Sequence, residues 1–311
     1  MKPPSKRGAA LLTVLLLVAV MAALASAVLD DIRFSVRRTT NAEALEQGRW
    51  YALGAETLAR GQLAQGLGPG LTGEWRSYPV EGGTVRARLE DGGACFNLNS
   101  VVEGSPGHWL RREGSLRQYR ALLTTLGLPE RRGQELSEAL SDWIDSDSGR
   151  STAGAEDDAY AGYRTSGALL QETSELRAVR GYDAAVYRLV RPYVCALPVP
   201  ETTMLNVNEL AADKAVLLTA LSDGAISPDA GRRALAARAR GGWRDVAAFL
   251  AEPSLRGVAR APAGQLSVRS RYYELTAHAD YAGGEVLMTS LIEQVGDGQT
   301  ALRARRWTAD E

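Results

Sequence analysis

Six acidic side chains crowd the stretch from residue 142 to residue 158: Asp142, Asp145, Asp147, Glu156, Asp157 and Asp158, with Ser146, Ser148 and Gly149 among them. Hard oxygen donors at this density suit calcium, which takes six to eight oxygens at about 2.3 to 2.6 Å. With Asp145 as the first position of a calcium loop, Asp147 falls on the third and Glu156 on the twelfth. An ordinary EF-hand does not fit, because Gly149 occupies the fifth position and Arg150 the sixth, where that loop requires glycine. The residues leave two readings open: a calcium site drawing on Asp145, Asp147, Glu156, Asp157 and Asp158, or a solvated acidic loop capping a helix that ends near Ile144.

Other reactive residues are sparse. The only cysteines are Cys95 and Cys195. In an oxidising compartment their disulfide would close a loop of about 100 residues, worth up to roughly 4 to 5 kcal/mol in the chain-entropy picture. Two buried thiols or a nucleophile are the competing readings, although C-x-x-C spacing is absent and neither cysteine has a histidine near it in sequence. His108 and His278 are the only imidazoles, and the chain contains no G-x-S-x-G, H-E-x-x-H or phosphate-cradling loop, so we expect no enzyme, and no small-molecule substrate. A net charge of −1 gives no electrostatic case for a nucleic-acid partner.

What positions these groups is read from hydrophobic patterning. Ala9 to Leu29 is a run of 21 uncharged residues behind the basic leader MKPPSKRG. As a helix it spans about 30 Å of hydrocarbon, longer than the usual apolar region of a removable signal. Ala25-Ser26-Ala27 still offers a signal-peptidase site as the alternative. Lys2, Lys6 and Arg7 precede the run and Asp30 and Asp31 follow it, which keeps the N-terminus cytoplasmic and places the bulk of the chain across the membrane.

Helical spacing continues through Ile32, Val36, Leu45, Tyr51 and Leu58, so one helix is expected from about Ala9 to Leu63, ended by the glycines of residues 66–73. Trp75–Val80 and Thr84–Leu89 read as a hairpin turning at Gly82-Gly83. Residues 97–262 read as helices: Ser115–Leu126, Glu130–Ile144, Ser174–Val179, Ala184–Val194, Val207–Leu221, Pro228–Ala239 and Trp243–Leu250, with no strand of comparable quality. Alternation returns in Gln265–Ala279, Glu285–Gln294 and Thr300–Trp307, an antiparallel meander. The expected architecture is α+β: a long N-terminal helix on a small antiparallel sheet (74–96 and 265–308), with a large inserted all-helical domain (97–262). The apolar and charged fractions, 45% and 23%, are ordinary for a globular chain.

That plan, with RGAALLTVLLLVA (7–19), CFNLNS (95–100), LSDWIDSDS and GAEDDAY (140–160), SELRAVRG (174–181) and NVNEL (206–210) in order, resembles the protein K family of type II secretion, the large minor pseudopilins. The resemblance implies that 1–8 is a leader removed between Gly8 and Ala9 by a prepilin peptidase that methylates the new N-terminus. It implies that 9–29 spans the inner membrane, 30–65 continues the helix, and the remainder lies in the periplasm. Thr13, fifth in the mature chain, stands where most pilins carry an assembly glutamate; the absence is shared with protein K and is taken to mark a subunit at the filament tip. A threonine there can bond the carbonyl of the preceding turn. The resemblance also implies calcium in the acidic region, and as partners the minor pseudopilins I and J and the major pseudopilin. Residues 203–255 resemble a SAM-like or helix-hairpin-helix pattern, which keeps a membrane-tethered DNA-uptake protein as the alternative. Arg232, Arg233, Arg238 and Arg240 would then meet phosphate, but Asp223 sits in the turn that should do so.

Overall fold

The computed structural model describes residues 6–67, 72–258, 262–296 and 298–307. Part of the leader and of the 66–73 glycine segment therefore lies outside the described residues. Along the chain the elements are α1 (Lys6–Ala64), β1 (Arg76–Val80), β2 (Gly83–Asp91), β3 (Phe96–Asn97), β4 (Val102–Ser105), β5 (His108–Arg111), α2 (Glu113–Thr125), α3 (Glu130–Ile144), α4 (Ala184–Val190), β6 (Val194–Cys195), β7 (Leu205–Asn206), α5 (Val216–Leu221), α6 (Pro228–Ala236), α7 (Val246–Leu250), β8 (Leu266–Ser267), β9 (Tyr272–Tyr281), β10 (Gly284–Gln294) and β11 (Thr300–Arg306).

At 1.5 Å per residue the 59 residues of α1 extend about 90 Å. From Ala10 to Glu43 every residue is exposed; burial begins at Ala44. From there Ala44, Ala52, Ala55, Ala59 and Leu63 recur at helical spacing and lie on the sheet. They meet Val85, Ala277, Ala279, Val286 and Met288 at one end and Leu89, Tyr273, Leu275 and Ile292 at the other. Small side chains bring helix and sheet close: a Cβ at Gly48 would stand 2.9 Å from Val286 Cγ2. Through this seam runs one buried charge. Glu56 accepts from Arg305 Nε and Nη2 at 2.8 and 2.7 Å and from the Ser290 hydroxyl at 2.7 Å. Burial alone would raise its pKa, but the hydrogen bonds from Arg305 and Ser290 outweigh it and hold the carboxyl below its usual range.

The sheet is antiparallel throughout, in the order β1-β2-β9-β10-β11. Residues 92–271 are thus inserted between two neighbouring strands. They enclose the largest core cluster, which includes Phe96, Tyr119, Leu140, Trp143, Leu170, Leu218 and Phe249. Cys95 and Cys195 are bonded to each other, 5.7 Å apart at Cα, beside the two-residue pairing of β3 with β6.

Several expected elements differ in detail. The segment expected to be free of strands contains the β4–β5 hairpin, turning at Gly107 with φ +81°. The helix expected over 207–221 contracts to α5, with a single 3-10 turn at Ala212–Ala215 before it. Asparagine chemistry is the reason: Asn206 Oδ1 accepts from Asn208 N at 2.9 Å, and Arg238 donates to the carbonyls of Val207, Asn208 and Leu210, which removes those groups from a helical ladder. Residues 173–178 form a 3-10 helix, and α4 stops at Val190, ahead of Pro192.

Arg305→Gln should lower stability at neutral pH by about 3 kcal/mol, since it leaves a buried carboxylate without its cation. The wild-type Glu56 contribution is present above its unfolded pKa of 4.5 and is lost as pH falls through the lower folded value, so the two proteins should converge in acid; melting curves from pH 7 to pH 3 check this. Replacing Cys95 and Cys195 together by serine should cost up to roughly 4 kcal/mol, measured by denaturant unfolding.

Candidate metal centre and anchoring helix

The acidic group is delivered by the end of α3 and the loop that follows. Leu136, Ala139, Leu140, Trp143 and Ile144 bury one face of α3, and the chain leaves the helix at Asp145 in extended conformation. Two carboxylates on α3 draw the loop back onto the helix. Asp142 accepts from Ser151 N at 3.1 Å and from the Ser151 hydroxyl at 2.6 Å, and Glu138 accepts from Ala153 N at 2.7 Å. Gly154 is required by that closure, because a Cβ there would stand 2.0 Å from Asp142 Oδ2. On the other side Ser146 pairs with Trp109 of β5, donating N–H to its carbonyl at 3.0 Å and accepting its N–H on Oγ at 2.8 Å.

Within this frame Asp145, Asp147 and Glu156 converge, one oxygen of each lying within 4.8 Å of the others. Asp145 and Glu156 are each only 6% exposed, and Asp145 Oδ1 and Glu156 Oε1 are buried without a hydrogen-bond partner. Burial, then the charges of Asp147, Asp142 and Glu156, push Asp145 up to about 7; burial, then Asp142, Asp147 and Asp157, push Glu156 up to about 7. Three converging carboxylates, two of them with an oxygen that has no hydrogen-bond partner, suit a hard divalent cation, which calcium's oxygen ligands approach to about 2.4 Å. Asp157 and Asp158 point elsewhere. Asp157 accepts the N–H and hydroxyl of Thr165, which hold its carboxyl below the usual range, and exposed Asp158 lies 3.9 Å from Arg150. Sequence reasoning named Asp142 only as part of the crowd and missed Glu138; that these two close the loop is a three-dimensional fact without a sequence signal.

A second acidic group, beside a histidine, has one arginine against it. His278, Asp280 and Glu285 approach one another on the sheet, with Arg86 3.1 Å from His278 Nδ1 and 3.7 Å from Asp280.

The backbone of α1 includes both Gly8 and Ala9, so the Gly8–Ala9 bond lies in its first turns. Thr13 Oγ1 donates to the Ala10 carbonyl at 2.9 Å, which satisfies the hydroxyl without any partner chain. Leu11, Leu12, Leu15, Leu16, Leu17, Met21 and Leu24 are exposed large apolar side chains on the segment that is long and apolar enough to cross a membrane. Of the arginines considered for phosphate, Arg238 is committed to three backbone carbonyls and Arg232 to Asp229.

Two family models cover the insert, both described as type II secretion system protein K, over residues 94–199 and 205–269. The type II secretion system protein K of Klebsiella pneumoniae is 36% identical across 98% of this chain and 99% of its own length. That of Aeromonas hydrophila is 32% identical across 96% of each. Among solved structures, a chain in the crystal structure of the GspK-GspI-GspJ complex from the enterotoxigenic Escherichia coli type 2 secretion system superposes with a TM-score of 0.74 at 30% identity, covering 86% of this chain and 98% of that one. Nothing in these similarities supports the DNA-uptake reading.

Adding calcium to the chelator-treated protein should raise its melting temperature, by the equivalent of about 2.7 kcal/mol at a hundredfold excess over Kd. Asp145→Asn should abolish most of that rise while Asp158→Asn leaves it intact, read by calorimetry with and without chelator.

Proposed function

This chain belongs to the type II secretion system protein K family, and from that premise we propose that it is a minor pseudopilin that primes and caps a short periplasmic pseudopilus. Ala9–Leu29 holds the precursor in the inner membrane, with the insert and sheet in the periplasm. Cleavage between Gly8 and Ala9 by a prepilin peptidase, followed by methylation of the new amine, leaves the apolar helix in place. The mature helix then joins those of minor pseudopilins I and J, and the major pseudopilin stacks beneath. Support for those two partners comes from the similarity to one chain of the GspK-GspI-GspJ complex.

The observation that carries this reading is the division of α1: residues 10–43 are exposed, while the stretch from Ala44 to Leu63 is seated on the sheet. A stalk of this kind is available to lipid first and to neighbouring stalks later. Thr13 favours the terminal position. A carboxylate at that depth would need a cationic partner, whereas the threonine hydroxyl is satisfied within its own helix. The insert between β2 and β9 adds bulk that suits the end of a stack better than its middle. Asp145, Asp147 and Glu156 hold calcium in this proposal, and the ion ties the acidic loop to α3. The work is mechanical, with no turnover assigned to any residue.

Mass spectrometry of the natively expressed protein tests the assignment. Methylated Ala9 is the expected N-terminus; a chain starting at Met1, or at Val28 after the Ala25-Ser26-Ala27 site, would overturn it. Gly8→Leu should accumulate as uncleaved precursor.

A further inference from the structure

Just beyond the apolar span, α1 carries three arginines, of which two have no counter-ion among the described residues. Asp30 and Asp31 come first, then Arg33, Arg37 and Arg38. Arg33 lies 3.6 Å from Asp30. Arg37 and Arg38 are exposed, and among the described residues neither side chain has an ion pair or a hydrogen bond.

Their height is set by helix geometry. At 1.5 Å per residue from Leu29, Arg33 stands about 6 Å above the end of the apolar run, and Arg37 and Arg38 about 12 to 14 Å above it. The headgroup layer occupies roughly the first 5 to 8 Å on each side of the hydrocarbon, and long basic side chains can turn back toward it while their stems run along the helix. Arg33 and Arg37 are one turn apart on the same side, and Arg38 lies about 100° around the axis, so two separate headgroups can be met. The acidic pair lies lower, at the acyl boundary, with Asp30 engaged by Arg33.

We propose that Arg37 and Arg38, with Arg33 beneath them, form a binding site for the phosphate headgroups of anionic phospholipids in the periplasmic leaflet. The site fixes the depth of the stalk before assembly, and its lipids must be shed when the subunit is extracted. This rests on the reading of α1 as a membrane anchor.

The test uses the full-length chain in nanodiscs of phosphatidylcholine alone or with phosphatidylglycerol, compared with Arg37→Gln/Arg38→Gln and Arg37→Lys/Arg38→Lys variants. Lipid retained on the protein after gentle release is counted by native mass spectrometry. Wild type should retain phosphatidylglycerol preferentially. The glutamine pair should lose that preference by roughly fivefold per arginine, and the lysine pair should keep most of it, because a headgroup reads charge rather than a planar fork. If all variants enter the discs and retain phosphatidylglycerol equally, the lipid site is wrong while the anchor stands. If none enters, the anchor reading and this site fail together. If the glutamine pair keeps its lipid but no longer co-purifies with other minor pseudopilins, the arginines belong to a protein contact and the proposal is overturned.

Discussion

One unbroken helix has to satisfy its own backbone in two different solvents. Inside hydrocarbon there is no water to accept a stray N–H or carbonyl, so every peptide group must be bonded within the segment. The same ladder continues past Asp30 and Asp31 into the folded body, where α1 becomes one layer of the sheet packing. Small residues at Ala44, Gly48, Ala52, Ala55 and Ala59 let the helix approach the sheet closely, and the Glu56–Arg305–Ser290 bonds fix its position on it. A pull on the stalk is therefore carried by a continuous rod seated in a close-packed face, not by a flexible linker.

The insert is joined to this platform where β2 ends, and the Cys95–Cys195 bond spans most of its first half at that junction. Farther out, α3 ends in a loop whose carboxylates repel one another. Asp142 and Glu138 are used as hydrogen-bond acceptors that close the loop, whereas Asp145, Asp147 and Glu156 are brought together with two oxygens unpartnered. Like charges held this close raise one another's pKa unless a cation intervenes, which is the electrostatic ground of the proposed calcium site. Through Ser146 and Trp109 the same loop is fastened to the β4–β5 hairpin, so the order of one bears on the order of the other.

Much of this was legible in the residues. Twenty-one uncharged positions, the strand-period alternation of 84–89 and 285–294, and the 3.6-residue rhythm of 130–144 are local signals, and each appears in the structure near its expected limits. The long α1, the antiparallel sheet and the insertion between its strands followed from them; the two cysteines are bonded to each other, one of the readings that their number and spacing had left open. Local signals misled where side chains capture the backbone: Asn206 and Arg238 take groups that a helix over 207–221 would have used.

What sequence by itself determined was therefore what depends on near neighbours: helix and strand periods, the apolar length that can cross a membrane, and a density of carboxylates in one short stretch. Tertiary structure alone decided which carboxylates share a point in space. Asp157 and Asp158 are adjacent to Glu156 in the chain yet face Thr165 and Arg150, while Asp145 and Asp147 meet Glu156 from across the loop. The reason is that loop closure is set by bonds from α3 and β5, whose partners lie 9 to 37 residues away and leave no periodic trace in the sequence.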